Sequence, residues 1–180
     1  MTDKAAGETE SAREAIEALF RAQGTRLLRL AALYLEDMAL AEDAVQETYL
    51  KVYKNFSAFR GESDLATWAM RVCINTCKDM RRSAWFRGRK QAVSLDSLPE
   101  PAVPVTQEDQ EVLRAVLALP GKYREVLLLH YWQGIDARNI AYALGISEAA
   151  VYTRLSRARA RLKPILVGGF EDEQPHQAGI

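Results

Sequence analysis

Residues 136–163 run DARNIAYALGISEAAVYTRLSRARARLK, and this stretch admits few folds. Asp136 and Ser147 each stand where a side-chain oxygen can accept from free N–H groups of the next helical turn. Gly145 supplies the positive φ that ends the first helix. At about 100° per residue, Val151, Leu155, Ala158 and Leu162 fall on one face of the second helix. That face has to pack on the preceding helix, so the two form a helix–turn–helix.

The outward face of the second helix carries Ala149, Thr153, Ser156 and Arg157. Arg154 and Arg161 lie on one flank, Arg159 and Lys163 on the other. Small and hydrogen-bonding residues at the centre let a helix approach base edges in a DNA major groove. Arginines at the sides reach phosphates or fork onto a guanine. The alternative is a solvated basic face on a core helix. The agreement of cap, turn and apolar stripe favours the groove-binding reading.

Upstream, the periodicity predicts helices over 11–36 (kinked near Gly24), 38–56 with Asp37 as cap, and 65–84, with a loop at 57–64. Residues 91–106 contain Pro99, Pro101 and Pro104 and cannot hold a stable helix, so they form an extended linker. Helices resume over 107–119, 122–132, 136–144 and 147–163, and residues 165–180 form a flexible tail. The expectation is an all-α chain with two small helical domains, 11–90 and 107–164, joined by the flexible Pro-rich linker 91–106.

Net charge is zero over the 180 residues but is unevenly placed. Residues 61–90 hold 7 basic and 3 acidic groups, and 121–163 hold 8 and 3, whereas 91–120 hold 1 and 5. Two basic blocks separated by an acidic one suggest two nucleic-acid contacts joined by a segment that avoids them. No apolar run approaches the ~18 residues of a membrane span, and the acidic start is not a signal peptide. Cys73 and Cys77 are too few for a disulfide scaffold and lack a nearby His to complete a metal site, so no metal or cofactor is expected. Cys73 falls on an apolar face and reads as a buried thiol, and His130 reads as structural. A reducing cytoplasm fits this cysteine usage.

Two further faces need an explanation. On helix 38–56, Ala41, Val45, Tyr49, Val52 and Phe56 make the inward stripe. Asp43, Glu47, Leu50 and Lys54, with Gln46 beside them, make the outward one. An exposed leucine ringed by charges is the pattern of a small protein interface, although a solvated face with one stray leucine gives the same sequence. On helix 65–84, Leu65, Ala69, Cys73, Thr76 and Met80 point inward, while Trp68, Arg71, Asn75, Lys78 and Arg82 share the other side. Interleaved aromatic and basic groups suit single-stranded nucleic acid, with bases stacked on the ring and cations along the backbone. Phe59 and Arg60 in the preceding loop add a second platform and a phosphate contact. The alternative has Trp68 covering the core beside solvated cations.

The segment AEDAVQETYLKVYKNFSAFRGESDLATWAMRVCINTCKDMRR resembles region 2 of bacterial sigma-70-type sigma factors. LPGKYREVLLLHYWQGIDARNIAYALGISEAAVYTRLSRARARLK resembles their region 4. The short chain, with only these two regions over about 11–163, is similar to the extracytoplasmic-function (ECF, group IV) sigma factors. The resemblance implies that 11–90 is the region 2 domain and 107–164 the region 4 domain. It implies that Asp43, Gln46, Glu47, Leu50 and Lys54 dock on the β′ clamp helices of core RNA polymerase. Phe59, Arg60, Ser63, Trp68, Arg71, Asn75, Lys78 and Arg82 would melt and hold a single-stranded −10 element, with Asn75 facing a flipped-out base. Ser147, Ala149, Tyr152, Thr153, Arg154, Ser156, Arg157 and Arg161 would read a double-stranded −35 element, with the polymerase β flap nearby.

On the same grounds an anti-sigma factor, membrane-linked in some cases, would cover these faces, and the chain itself would not enter the membrane. The recognition helix departs from the family's Gly-Thr-Val-Lys/Arg-Ser-Arg run. Ala149, Ala150, Val151, Tyr152, Thr153 and Arg154 stand there, and Tyr152 removes one basic contact. No nucleophile–base pair or phosphate loop is visible, so the expected mechanism is binding rather than catalysis. Two rivals are a dimeric helix–turn–helix regulator that never touches polymerase and a recombinase or nuclease with a DNA-reading domain. The second lacks an acidic or nucleophilic cluster.

Overall fold

The computed structural model describes residues 2–82 and 107–164, with side chains over 11–82 and 109–164, and all its described regular elements are helical. The linker 91–106 and the tail 165–180 lie outside the described residues. The helices are α1 (Thr2–Leu35), α2 (Met38–Lys54), α3 (Leu65–Arg82), α4 (Gln107–Leu117), α5 (Gly121–Leu127), α6 (Ala137–Leu144) and α7 (Glu148–Leu162).

α1 begins at Thr2 rather than 11 and continues as helix through Gly24. One glycine lowers helix stability by only about 1 kcal/mol. Here that loss is set against the burial of Leu27, Leu30, Leu33 and Leu35 just beyond it. The helix stops where Glu36 turns left-handed, at φ 57°. Asp37 then caps α2, its carboxylate accepting from Leu40 N–H at 3.0 Å. α2 ends at Lys54, and the expected last turn is a 3₁₀ turn, Phe56–Ala58. The single helix expected over 122–132 is instead α5 followed by a π turn, Leu128–Trp132, closed by Gln133 N–H to Leu128 C=O at 3.0 Å.

Within the first half, α1, α2 and α3 pack pairwise. The buried stripe of α2 is rotated from the expected one. Leu40, Ala41, Ala44, Thr48 and Val52 are buried, while Val45, Tyr49 and Phe56 are half-buried at its edge. Thr48 is tolerated inside because its hydroxyl donates to Ala44 C=O at 2.6 Å. In the second half, α7 packs on α5 and α6. Its buried residues Val151, Leu155, Ala158 and Leu162 are those the periodicity selects. Asp136 accepts from Asn139 N–H at 2.8 Å, Ser147 accepts from Ala150 N–H at 3.2 Å, and Gly145 has φ 66°.

The two halves are in contact. α6 lies on α3 and the π turn touches α1. One apolar cluster runs from Leu30 and Ile74 through Leu127 and Ile140 to Leu155. α3 is therefore buried on two sides. Ala69, Cys73 and Thr76 face the first half as expected, with Leu65 and Met80 half-buried. Met70, Ile74 and Cys77 form a second buried strip, contiguous with Arg71 and Lys78 around the helix. Both thiols are free, and hydrogen bonding to Cys73 together with burial pushes the Cys77 thiol up, so it stays protonated. His130 is half-buried, with Nδ1 3.2 Å from Ile135 O.

A Cβ at Gly145 would meet nothing within 4 Å, so only its backbone conformation restricts substitution. Gly145→Ala should cost about 1–2 kcal/mol, read as a lower urea midpoint. Gly145→Asn should cost clearly less, because Asn adopts the left-handed region more readily. Equal loss for both would place the cost in packing instead.

Candidate nucleic-acid interface

The outward face of α2 is assembled as its sequence suggests. Asp43, Gln46, Leu50 and Lys54 are exposed and Glu47 is half-exposed, its carboxylate 3.6 Å from Lys51 Nζ. Leu50 is 47% exposed. Tyr53, one turn further, is 44% exposed and stacks on Tyr49 with ring centroids 6.4 Å apart. Tyr53 was not among the expected interface residues. Its spacing three after Leu50 was the available signal, since i and i+3 share a face. Together they form an apolar spot inside a charged rim, held against α3 by Lys51 Nζ donating to Thr76 Oγ1 at 3.1 Å.

The aromatic platform before α3 is a cluster rather than a lone ring. Phe59 lies 5.3 Å from Trp68 and 6.4 Å from Phe56, centroid to centroid. The chain enters α3 through Asp64, whose carboxylate accepts from Thr67 N–H at 2.8 Å and Thr67 Oγ1 at 2.7 Å. Burial would raise its pKa, but these hydrogen bonds and one from Ala66 outweigh it and hold the carboxyl below its usual value. Ser63 is half-buried, its hydroxyl donating to Asp64 C=O at 3.2 Å, and Arg60 is exposed. A cleft of about 300 Å³ opens between Ala58, Arg60, Glu62, Trp68 and Tyr142.

On α3, Asn75 and Arg82 are exposed, with Arg82 paired to Asp79 at 3.3 Å. Arg71 and Lys78 are half-buried and engaged by the other half of the chain. The Arg71 guanidinium sits 4.8 Å over the Tyr142 ring, and Lys78 Nζ is 3.4 Å from Glu125 Oε2. The expected five-residue face is thus split: Trp68, Asn75 and Arg82 lie on its open side, while Arg71 and Lys78 are covered. No pattern within α3 signals this, because the covering residues lie more than 40 positions away in sequence.

On α7, Ser147, Ala149, Tyr152, Thr153, Ser156, Arg157 and Arg161 are exposed and Arg154 is half-buried. Tyr152 is 57% exposed. Two tyrosines outside the helix order its cations. Arg159 Nε donates to Tyr131 Oη at 2.8 Å, and the Arg161 guanidinium lies 5.2 Å over Tyr123. Burial pushes the Tyr123 phenol up, but Lys122, a hydrogen bond from Arg157 and the charge of Arg161 outweigh it and hold it below its usual value. Pre-ordered arginines lose less side-chain entropy on meeting phosphates.

Among the described residues no group of three or more His, Cys, Asp or Glu is placed to hold a metal ion, and no helix is long and apolar enough to cross a membrane.

A three-helix half with a half-open aromatic and cationic helix, followed by a helix–turn–helix half, defines a two-part nucleic-acid reader. Residues 19–87 match the family described as Sigma-70 region 2, and residues 109–162 match Sigma-70, region 4. The chain is 32% identical over 155 residues to the ECF RNA polymerase sigma factor SigM of Mycobacterium tuberculosis H37Rv, covering 86% of this chain and 78% of that protein. It is 33% identical over 144 residues to the "Probable RNA polymerase sigma factor RfaY" of Xanthomonas campestris. That match takes in 75% of this chain but 36% of RfaY, so the chain spans about a third of that longer relative. Among solved structures, the sigma factor RpoE in its co-crystal with the anti-sigma factor NepR from Bartonella quintana has the same fold. Its TM-score is 0.66 at 22% identity, covering 85% of this chain and 94% of that one. The chain belongs to the sigma-70 family, in its ECF group.

The Asp64 cap should contribute about 1 kcal/mol. Its folded pKa lies below the unfolded value of about 3.9, so the contribution is complete above that value and is lost as pH falls through the folded pKa. The stability gap between wild type and Asp64→Ala in urea should be constant at neutral pH and shrink below about pH 4. A gap that grew on acidification would contradict this assignment.

Proposed function

We propose that this chain directs core RNA polymerase to promoters, with residues 11–90 and 107–164 acting as two contact units and 91–106 as the linker between them. α2 docks on the β′ clamp helices through Asp43, Gln46, Glu47, Leu50 and Lys54, with Tyr53 enlarging the apolar anchor. The loop and α3 hold the unpaired −10 strand. Trp68 and Phe59 supply stacking, Arg60, Arg71, Lys78 and Arg82 follow the backbone, and Ser63 shapes the loop. Asn75 offers donor and acceptor together to the edge of an extruded base. α7 reads the −35 duplex from Ser147 to Arg161, with Thr153 and Arg157 central. The apolar hollow of about 340 Å³ between Val116, Leu127, Trp132 and Leu162 is the surface we assign to the β flap.

One observation supports this reading: a single chain presents two faces of different chemistry. The first is aromatic and cationic at Phe59, Arg60 and Trp68. The second is a convex helix face of small residues flanked by arginines. Energy for strand separation then comes from trapping unstacked bases on the first while the second anchors duplex. The polymerase supplies the bond-forming chemistry, and this chain acts by binding, in the cytoplasm. The solved relatives bound to anti-sigma factors support a sequestering partner of the same kind here, in some cases membrane-linked.

Run-off transcription with core polymerase tests the reading. A transcript that depends on this chain is expected, and no initiation at any genomic promoter would refute it. Asn75→Ala should slow initiation on duplex templates more than on a pre-melted bubble, and equal loss on both would remove its opening role. Arg157→Ala should weaken −35 duplex binding by about 1–3 kcal/mol, and Leu50→Asp should weaken core binding roughly tenfold, about 1.4 kcal/mol.

A further inference from the structure

Arg159 stands on the flank of α7 opposite Arg154 and Arg161, and it is half-buried. Its Nε donates to Tyr131 Oη at 2.8 Å, and its guanidinium carbon lies 5.7 Å from the centre of the same ring. The Tyr131 ring is fixed in turn. It meets the His130 ring edge-on, with centroids 4.8 Å apart, and His130 Nδ1 lies 3.2 Å from Ile135 O. Both rings belong to the π turn Leu128–Trp132, closed by Gln133 N–H to Leu128 C=O. An i→i+5 turn is wider than an α turn, so it sets Tyr131 at a different angle from the one a continued α-helix would give. Such turns are rare and occur frequently at functional sites.

The chemistry of the partner matters. A carboxylate would order the guanidinium and cancel its charge, whereas a phenol orders it and leaves the charge whole. Among the described residues no carboxylate pairs with Arg159. The two walls of a major groove are backbones of different strands, so a helix lying in it meets phosphates on both flanks. We infer that Arg159 is a phosphate contact of the duplex face, on the strand opposite the one that Arg154 and Arg161 reach, and that Tyr131 is its positioning residue. The inference rests on the −35 reading of α7 proposed above. Phosphate contacts carry no sequence information but fix the orientation of a helix on the duplex. Ordering Arg159 before DNA arrives removes side-chain entropy that binding would otherwise cost. Arg159 also lies in the last turn of α7, where the helix dipole stabilises a cation with or without DNA. A test therefore has to separate binding from stability.

Binding of the full chain to a fluorescein-labelled mixed-sequence duplex of about 20 base pairs is measured by anisotropy between about 50 and 200 mM salt. Arg159→Gln keeps most of the stem and a donor for Tyr131 but no charge. It should weaken binding about tenfold at the low-salt end and make the slope of log K against log salt shallower by about 0.9. Tyr131→Phe keeps the ring and loses the acceptor. It should weaken binding about threefold with the slope unchanged, and have no further effect once Arg159→Gln is present. Both substitutions preserve shape, and thermal melting checks that each variant is folded. An unchanged slope in Arg159→Gln overturns the phosphate contact, as does a wild-type chain that binds no duplex at low salt. A Tyr131→Phe loss of equal size in both backgrounds, or no loss in either, overturns the positioning role. Run-off transcription with core polymerase separates this from the wider reading. A transcript from the wild type with additive binding effects keeps the sigma reading and removes the role of Tyr131. Coupled binding effects with no transcript remove the sigma reading and keep Arg159 and Tyr131 as a duplex contact.

Discussion

Everything in this molecule is arranged around a helix that is buried on two sides. α3 buries Ala69, Cys73 and Thr76 and, beside them, Met70, Ile74 and Cys77, and α1, α2 and α6 all pack on it. A helix with two apolar strips has only a narrow polar sector left, and on α3 that sector holds Asn75 and Arg82. The aromatic cluster at Phe59 and Trp68 fills the rim between packed and open surface. Which residues of α3 are exposed is thus set by what packs on the helix, more than by their own side chains.

The N-terminal boundary of α3 matters for the same reason. Asp64 fixes the first turn with two hydrogen bonds to Thr67, and Phe59 approaches Trp68 across that turn. Lys51 ties the adjoining α2 to Thr76 one face away. The aromatic cluster and the outward face of α2 therefore share a rigid support.

Much of this was legible in the residues. The caps at Asp37, Asp136 and Ser147, the Gly145 turn and the buried stripe of α7 all follow from local rules and are all present. What local rules miss is where two segments compete for one face. The α2 stripe is rotated because Thr48 takes a core position by bonding its own backbone, which frees Tyr49 to pack edge-on with Phe20 at 5.0 Å. The second buried strip on α3 has no place in the sequence reading, and the partners of the flanking Arg71 and Lys78, Tyr142 and Glu125, come from the far half. The π turn after α5 likewise has no signature in LLHYW. It carries Tyr131 to Arg159, a contact that exists only once α7 is in place.

One hydrogen bond on α7 bears on the −35 reading proposed above. The Thr153 hydroxyl donates its proton to Ala149 C=O at 2.8 Å, on the same helix. Facing outward it keeps lone pairs and a methyl group but no proton to give. It can accept from the amino group of adenine or cytosine, or lay its methyl against that of thymine, whereas guanine shows only acceptors at its N7 and O6. On the −35 reading proposed above, a hydroxyl bonded inside the helix is a poor donor to guanine, which leaves a guanine contact to the arginines at the edges of α7.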